Sequence, residues 1–197
     1  MKWYREQQKV AFNTTKPYKI AFALVTVIFL LCMAIVVTDA DAEQQPGEYE
    51  VKAAFIYNFP QFVTWPPNAM DTHINICVIG DDPFGTALDA TEEQTLGNNK
   101  MVISRLREPK HLKECHILFI SKTEKKRLSQ IFNTLKGTST LIVGDTEGFA
   151  QQGVIINFYL VDYKVRLEIN MDAARLANLK ISSKLLKLSR IVQDTDR

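Results

Sequence analysis

The residues able to do chemistry sit in four places. Asp81 and Asp82 follow an apolar run and stand together in a Gly80-Asp-Asp-Pro-Phe-Gly85 turn. Paired carboxylates of this kind can divide general acid and base work between them. Turn and capping chemistry accounts for them equally, because an Asp before a Pro both caps a helix start and closes a turn. His73 stands near Cys77 and His116 beside Cys115, but these spacings match no zinc pattern. Ser121 and Asp145 each follow an apolar run, where open α/β sheets present their ligand-binding loops. Arg166, Glu168 and Asn170 alternate with Val165, Leu167 and Ile169, so they share one face of a strand. No Ser-His-Asp arrangement, zinc signature or glycine-rich phosphate loop can be assembled. The two aspartates at residues 81 and 82 would repel a phosphate rather than cradle it. We expect no cofactor and no metal.

The elements that must carry these residues can be read from periodicity. Residues 154–171 form a hairpin with its turn near Asp162. Its first strand is apolar on both faces apart from Asn157, which predicts a central place in the sheet. The second predicts a solvent-facing polar side of Arg166, Glu168 and Asn170. Before it come apolar strands at 74–79, 100–105, 115–120 and 139–143, separated by helical stretches. Val51, Phe55, Phe59 and Phe62 predict the buried stripe of a first helix over 48–63, which Pro60 should kink or stop near Phe59. Ser121 with Glu124 predicts a capping box. Short helices are expected after Asn170 and from Ser182. Strands alternating with helices predict an α/β fold: a mixed, largely parallel sheet flanked by helices, Rossmann-like, ending in an antiparallel β-hairpin.

Composition sets the outer limits. The 197 residues are 46% hydrophobic and 23% charged, ordinary for a globular chain, and a net charge of +2 leaves no nucleic-acid footprint. Lys2, Arg5, Lys9, Lys16 and Lys19 precede an uncharged run over 20–37, and Ala40-Asp-Ala42 follows. This is the pattern of a signal peptide over 1–42, with an uncleaved membrane anchor as the alternative. Either way residues 43–197 are expected outside the cytoplasm as one domain. Residues 1–42 hold five basic and three acidic side chains, so the remainder carries 19 of each. Cys32 lies in the apolar run, leaving Cys77 and Cys115 in the exported part. They could form a disulfide, for which the predicted order places them on neighbouring strands, or remain two buried thiols.

Several motifs now stand in a fixed order. They are Lys52-Ala-Ala-Phe-Ile-Tyr-Asn-Phe59, Trp65-Pro66, Gly80-Asp-Asp-Pro-Phe-Gly85, Cys115-His-Ile-Leu-Phe-Ile-Ser121, Asp145 with Glu147-Gly-Phe149, Ile156-Asn157, Glu168-Ile-Asn170, Ala173-Ala-Arg175 and Leu179-Lys-Ile-Ser-Ser-Lys-Leu-Leu186. Over about residues 48–192 this set resembles the YfiR family. The resemblance implies a small periplasmic α/β protein, often a homodimer. It implies binding to the periplasmic sensor region of an inner-membrane diguanylate cyclase, which the protein holds inactive until envelope or redox stress relieves it, limiting cyclic di-GMP and biofilm formation. The chain departs from the family at Pro60 and lacks a second cysteine pair around Glu147-Gly-Phe149. The partner face is expected to include Arg166, Glu168, Asn170 and Arg175, unless Glu168 and Arg175 form a purely structural ion pair. A small-ligand sensor using Asp81, Asp82, Ser121 and Asp145 is the alternative; a hydrolase using Asp81 or Asp82 ranks last.

Overall fold

A computed structural model describes residues 47–193, with 68, 70, 71, 93 and 98 excepted. The expected leader lies outside the described residues. Helix α1 spans Glu48–Asn58 and passes into a 3-10 turn, Phe59–Gln61, at Pro60, as the missing proline N–H requires. Strand β1 (Val63–Thr64) and β2 (His73–Ile79) follow, then α2 (Thr86–Glu92), β3 (Thr95–Leu96) and β4 (Asn99–Leu106). A 3-10 turn at Leu112–Glu114 leads to β5 (Ile117–Ile120). A 3-10 segment, Lys122–Arg127, leads into α3 (Leu128–Leu135). The chain ends through β6 (Leu141–Gly144), a 3-10 turn at Ala150–Gln152, β7 (Ile156–Val161), β8 (Lys164–Asn170), α4 (Met171–Leu176), β9 (Lys180–Ile181), α5 (Ser183–Leu186) and β10 (Ser189–Val192).

The main sheet has eight strands in the order β3-β4-β2-β5-β6-β7-β8-β10, and β1 pairs with β9 apart from it. Strands β4, β2, β5, β6 and β7 run parallel to one another, while the short β3 pairs antiparallel with β4. Strands β5 and β6 are buried at every position, because crossover connections cover both faces of a parallel sheet. Strand β8 returns antiparallel to β7 through Asp162 and Tyr163, both left-handed with φ of 48° and 60°. Two consecutive left-handed residues give a hairpin turn that matches strand twist. The mostly parallel sheet with a terminal hairpin is the expected architecture.

Taken in chain order, the parallel core runs 2-1-3-4-5, a doubly wound arrangement whose switch point lies between β2 and β5. Helices α1 and α2 lie on the face presented by Phe119 and Phe158. Phe59 stacks on Phe158 and Phe55 packs tilted against it, each with ring centroids 6.0 Å away, and Tyr49, Phe84 and Phe119 meet edge to face. Helix α3 covers the other face, where Phe132 and Leu135 line a cavity with Ile142.

Four local expectations need correction. The buried line of α1 is Lys52, Ala53, Ile56 and then Phe59, while Val51, Phe55 and Phe62 are only half-buried. Large rings can reach the core from the boundary, so the buried side is rotated by about one residue. Ser121 makes no side-chain cap, and Glu124 instead pairs with Arg127 at 2.7 Å. Asp82 closes a local turn by accepting from the Phe84 amide at 2.8 Å, and α2 begins later, at Thr86. The polar side of β8 faces solvent only at Arg166: Glu168 is 4% exposed and Asn170 is fully buried, where β10 pairs beside β8.

Candidate functional site

The switch-point crevice, where a doubly wound sheet would ordinarily take a ligand, is closed by its own side chains. Gly80 has φ of +90°, and a Cβ there would stand 2.6 Å from Thr123 Oγ1 and 2.9 Å from Glu124 Cγ. The Asp81 amide donates to Thr123 Oγ1 at 3.2 Å. Asp82 pairs with Arg105 at 2.6 Å, and that guanidinium also reaches Asp89 at 2.7 Å. These two carboxylates, through hydrogen bonds to its guanidinium, raise the Arg105 pKa further still. Ser121 is buried. Of the expected group, Asp81 and Ser121 are joined through Thr123, whose hydroxyl donates to Ser121 Oγ at 3.4 Å, while Asp82 is engaged by Arg105 and Asp145 by Lys52.

Asp145 leaves the end of β6 and meets α1. Lys52 Nζ donates to its Oδ2 at 2.8 Å, and Tyr49 OH donates to the same oxygen at 3.0 Å. Lys52 also pairs with Glu48, one turn earlier, and its ammonium sits 4.3 Å from the Tyr49 ring centroid. The Lys52 side chain is only 3% exposed, which an ammonium tolerates only when paired. Burial first, and then the negative Asp145, push the Tyr49 hydroxyl well above its usual range, so it stays a proton donor.

Beside this pair the strand register builds a polar row. Gly144 of β6 lies beside Asn157 of β7, Asn157 beside Glu168 of β8, and Glu168 beside Arg190 of β10, all on one face. Glu168 pairs with Arg190, whose guanidinium lies 4.7 Å from the Tyr159 ring centroid. The Asn157 amide nitrogen donates to the Thr146 carbonyl at 3.1 Å, while its Oδ1 is buried without a partner. Lys52, Asp145, Glu168 and Arg190 line a shared cleft of about 800 Å³. Asp145 and Glu168 are both committed to cations, an arrangement that holds or recognises rather than one that moves protons.

The structure separates the four residues expected at a partner face. Arg166 is exposed on β8. Glu168 is buried and held from the side by Arg190 of β10. Asn170 is the cap of α4: its Oδ1 accepts from the Ala173 amide at 2.9 Å and its Nδ2 donates to the Ala150 carbonyl at 2.7 Å. Arg175 pairs with Asp172 at 2.8 Å, not with Glu168, and borders a different cleft with Trp65 and Lys180. Cys77 and Cys115 are joined in a disulfide, with Cα atoms 5.8 Å apart, tying β2 to the start of β5. Of the neighbouring histidines, His116 accepts from the Asn75 amide at 2.9 Å and His73 meets Thr72 at 3.0 Å. Lys52 and Arg190 escaped the sequence reading. A lysine inside the apolar Ala53–Ile56 neighbourhood was the available signal for the first. The alternation of Ser189–Val192 was the signal for the second.

Among solved structures, the chain is similar to a conserved domain protein from Vibrio cholerae O1 biovar El Tor, with TM-score 0.52 and 10% identity over 75% of this chain. It is also similar to an ABC domain in complex with L-Trp from Streptococcus pneumonia, with TM-score 0.50 and 7% identity over 74% of this chain. The matches span about 60% of those two structures' lengths, and at such identities they show a shared fold alone. No curated protein matches the sequence. The family model described as YfiR/HmsC-like, a family of periplasmic regulators of diguanylate cyclases, matches residues 49–190. That match spans nearly every element described above, and the chain belongs to the YfiR/HmsC-like family.

Proposed function

We propose that this chain is an exported, non-catalytic regulator that docks on the periplasmic sensor region of an inner-membrane diguanylate cyclase and represses it, lowering cyclic di-GMP and biofilm formation. Family membership supports the class of function. The observation that carries the docking reading is an exposed apolar patch at one end of the sheet. Leu160, Val161 and Tyr163 form the tip of the β7–β8 hairpin, and Tyr163 is fully exposed at 101%. Leu188 and Ile191 on and before β10 are also exposed. Ser189 pairs with Leu167, which brings Leu188 level with exposed Arg166. Apolar and aromatic side chains around an arginine, on a rigid sheet end, suit a protein partner. Arg166 thus keeps its proposed place, while Glu168 and Asn170 are buried further along β8, paired with Arg190 and capping α4. Self-association as a homodimer belongs to the same proposal, and sedimentation reads it.

The binding test uses Tyr163→Asn, which keeps a residue tolerant of left-handed φ and removes the ring. Titration against the isolated cyclase sensor region should show affinity falling by about thirtyfold, the weight of a hot-spot aromatic of about 2 kcal/mol, with thermal stability unchanged. Unchanged affinity for both Tyr163→Asn and Ile191→Thr would remove the hairpin end from the docking face.

A further inference from the structure

We propose that the cleft between α1, the loop after β6, and strands β7, β8 and β10 binds a neutral, hydroxyl-rich solute of mono- or disaccharide size. The inference does not rest on the cyclase being the partner. Its volume of about 800 Å³ lies in the small-ligand range. Three features choose the ligand's chemistry.

The first is charge. The lining brings Lys52, Lys122 and Arg190 together with Glu48, Asp145, Glu147 and Glu168. Lys52 is already neutralised by Asp145 and Glu48, and Arg190 by Glu168. An anion entering here meets Asp145 and Glu168, and a cation meets Lys52 and Arg190. An uncharged ligand meets neither penalty.

The second is hydrogen bonding. Asn157, 1% exposed at the cleft floor, has no partner for Oδ1, and Gln151 has none for Oε1. Buried acceptors left unmade are costly, and both call for a donor such as a hydroxyl or a neutral amide N–H. The cleft also offers donors, the Lys52 and Arg190 cations, beside carboxylate acceptors. A group that both gives and takes hydrogen bonds uses all of these; a carboxylate or phosphate uses only half. The third is Tyr159, whose ring is backed by Arg190 and gives the cleft an aromatic wall for an apolar ring face.

Isothermal titration of the purified protein with maltose and with di-N-acetylchitobiose tests this, with glycerol 3-phosphate and putrescine as charged comparators. A neutral disaccharide should bind saturably at one site and raise the melting temperature. Gln151→Leu should weaken that binding about tenfold, the loss of one hydrogen bond from a buried acceptor, without lowering the ligand-free melting temperature, because Oε1 has no partner to lose. Asn157→Ala should abolish binding; if it fails to fold, Gln151→Leu alone decides. Absence of saturable heat with both sugars, binding confined to a charged comparator, or sugar binding indifferent to Gln151→Leu would overturn the proposal.

Discussion

The Lys52–Asp145 pair gives the most quantitative handle on the structure. Asp145→Asn replaces a carboxylate by an amide of the same shape. It leaves an ammonium only 3% exposed, with Glu48 as its remaining counter-ion. Two unit charges about 4 Å apart interact by roughly 4 kcal/mol at an effective dielectric of about 20, before the desolvation of both is subtracted. Orphaning a buried charge outright costs about 3–5 kcal/mol; because Glu48 stays, the expected loss is about 2–3 kcal/mol. Lys52→Met is the milder change. It removes the buried charge, fills the space with an apolar chain, and leaves Asp145 the Tyr49 hydroxyl as donor. Its expected cost is about 1–2 kcal/mol. The double variant should then be less destabilised than the sum of the singles by at least about 1 kcal/mol, since neither orphaned charge remains. Urea unfolding with a constant slope reads all three. Asp145→Asn costing less than Lys52→Met, or the two effects simply adding to within about 0.5 kcal/mol, would refute the buried coupling.

Three further outcomes follow from single contacts. Joining residues 38 apart in sequence, the Cys77–Cys115 disulfide should contribute about 4 kcal/mol on the chain-entropy picture, so the Cys77→Ala, Cys115→Ala double variant should unfold at much lower urea; an unchanged midpoint contradicts it. Asn170→Ala removes the α4 cap and the donor to the buried Ala150 carbonyl, and should cost about 2–3 kcal/mol by thermal unfolding, against under about 0.5 kcal/mol if the residue were a surface contact. Tyr49 keeps its proton in the folded chain above its ordinary pKa of 10.0, where the unfolded chain releases it. The folded state then binds more protons, so stability must fall as pH rises past 10.0, and Tyr49→Phe should flatten that fall between about pH 9 and pH 11; an identical slope in the variant would contradict the burial of the Tyr49 hydroxyl against Asp145.

How far the sequence could be read depended on whether a residue's role was set locally. Fully apolar strands such as Ile117–Ile120 announce a central parallel position, and Pro60 announces the end of α1, because strand burial and a missing N–H act where they stand. Glu168 and Asn170 were legible as neighbours on one strand face but not as buried. Their burial comes from β10, a four-residue strand that follows a short helix and whose pattern is too brief to identify alone. The same strand supplies Arg190, so the Glu168–Arg190 pair depends on a parallel pairing that no local pattern states. Lys52 faces inward because Asp145 waits there, 93 residues away in sequence. Contacts of that range fix the cleft, and they become visible only once the strand order is known.

The central claim is repression by docking outside the cytoplasm. Membranes carrying the cyclase in sealed, oriented vesicles, with this protein added on the periplasmic side, read it directly as cyclic di-GMP formed within. Synthesis should fall in proportion to bound protein and return when Tyr163→Asn replaces it. Cyclic di-GMP output unmoved at saturating, correctly folded protein would contradict the claim.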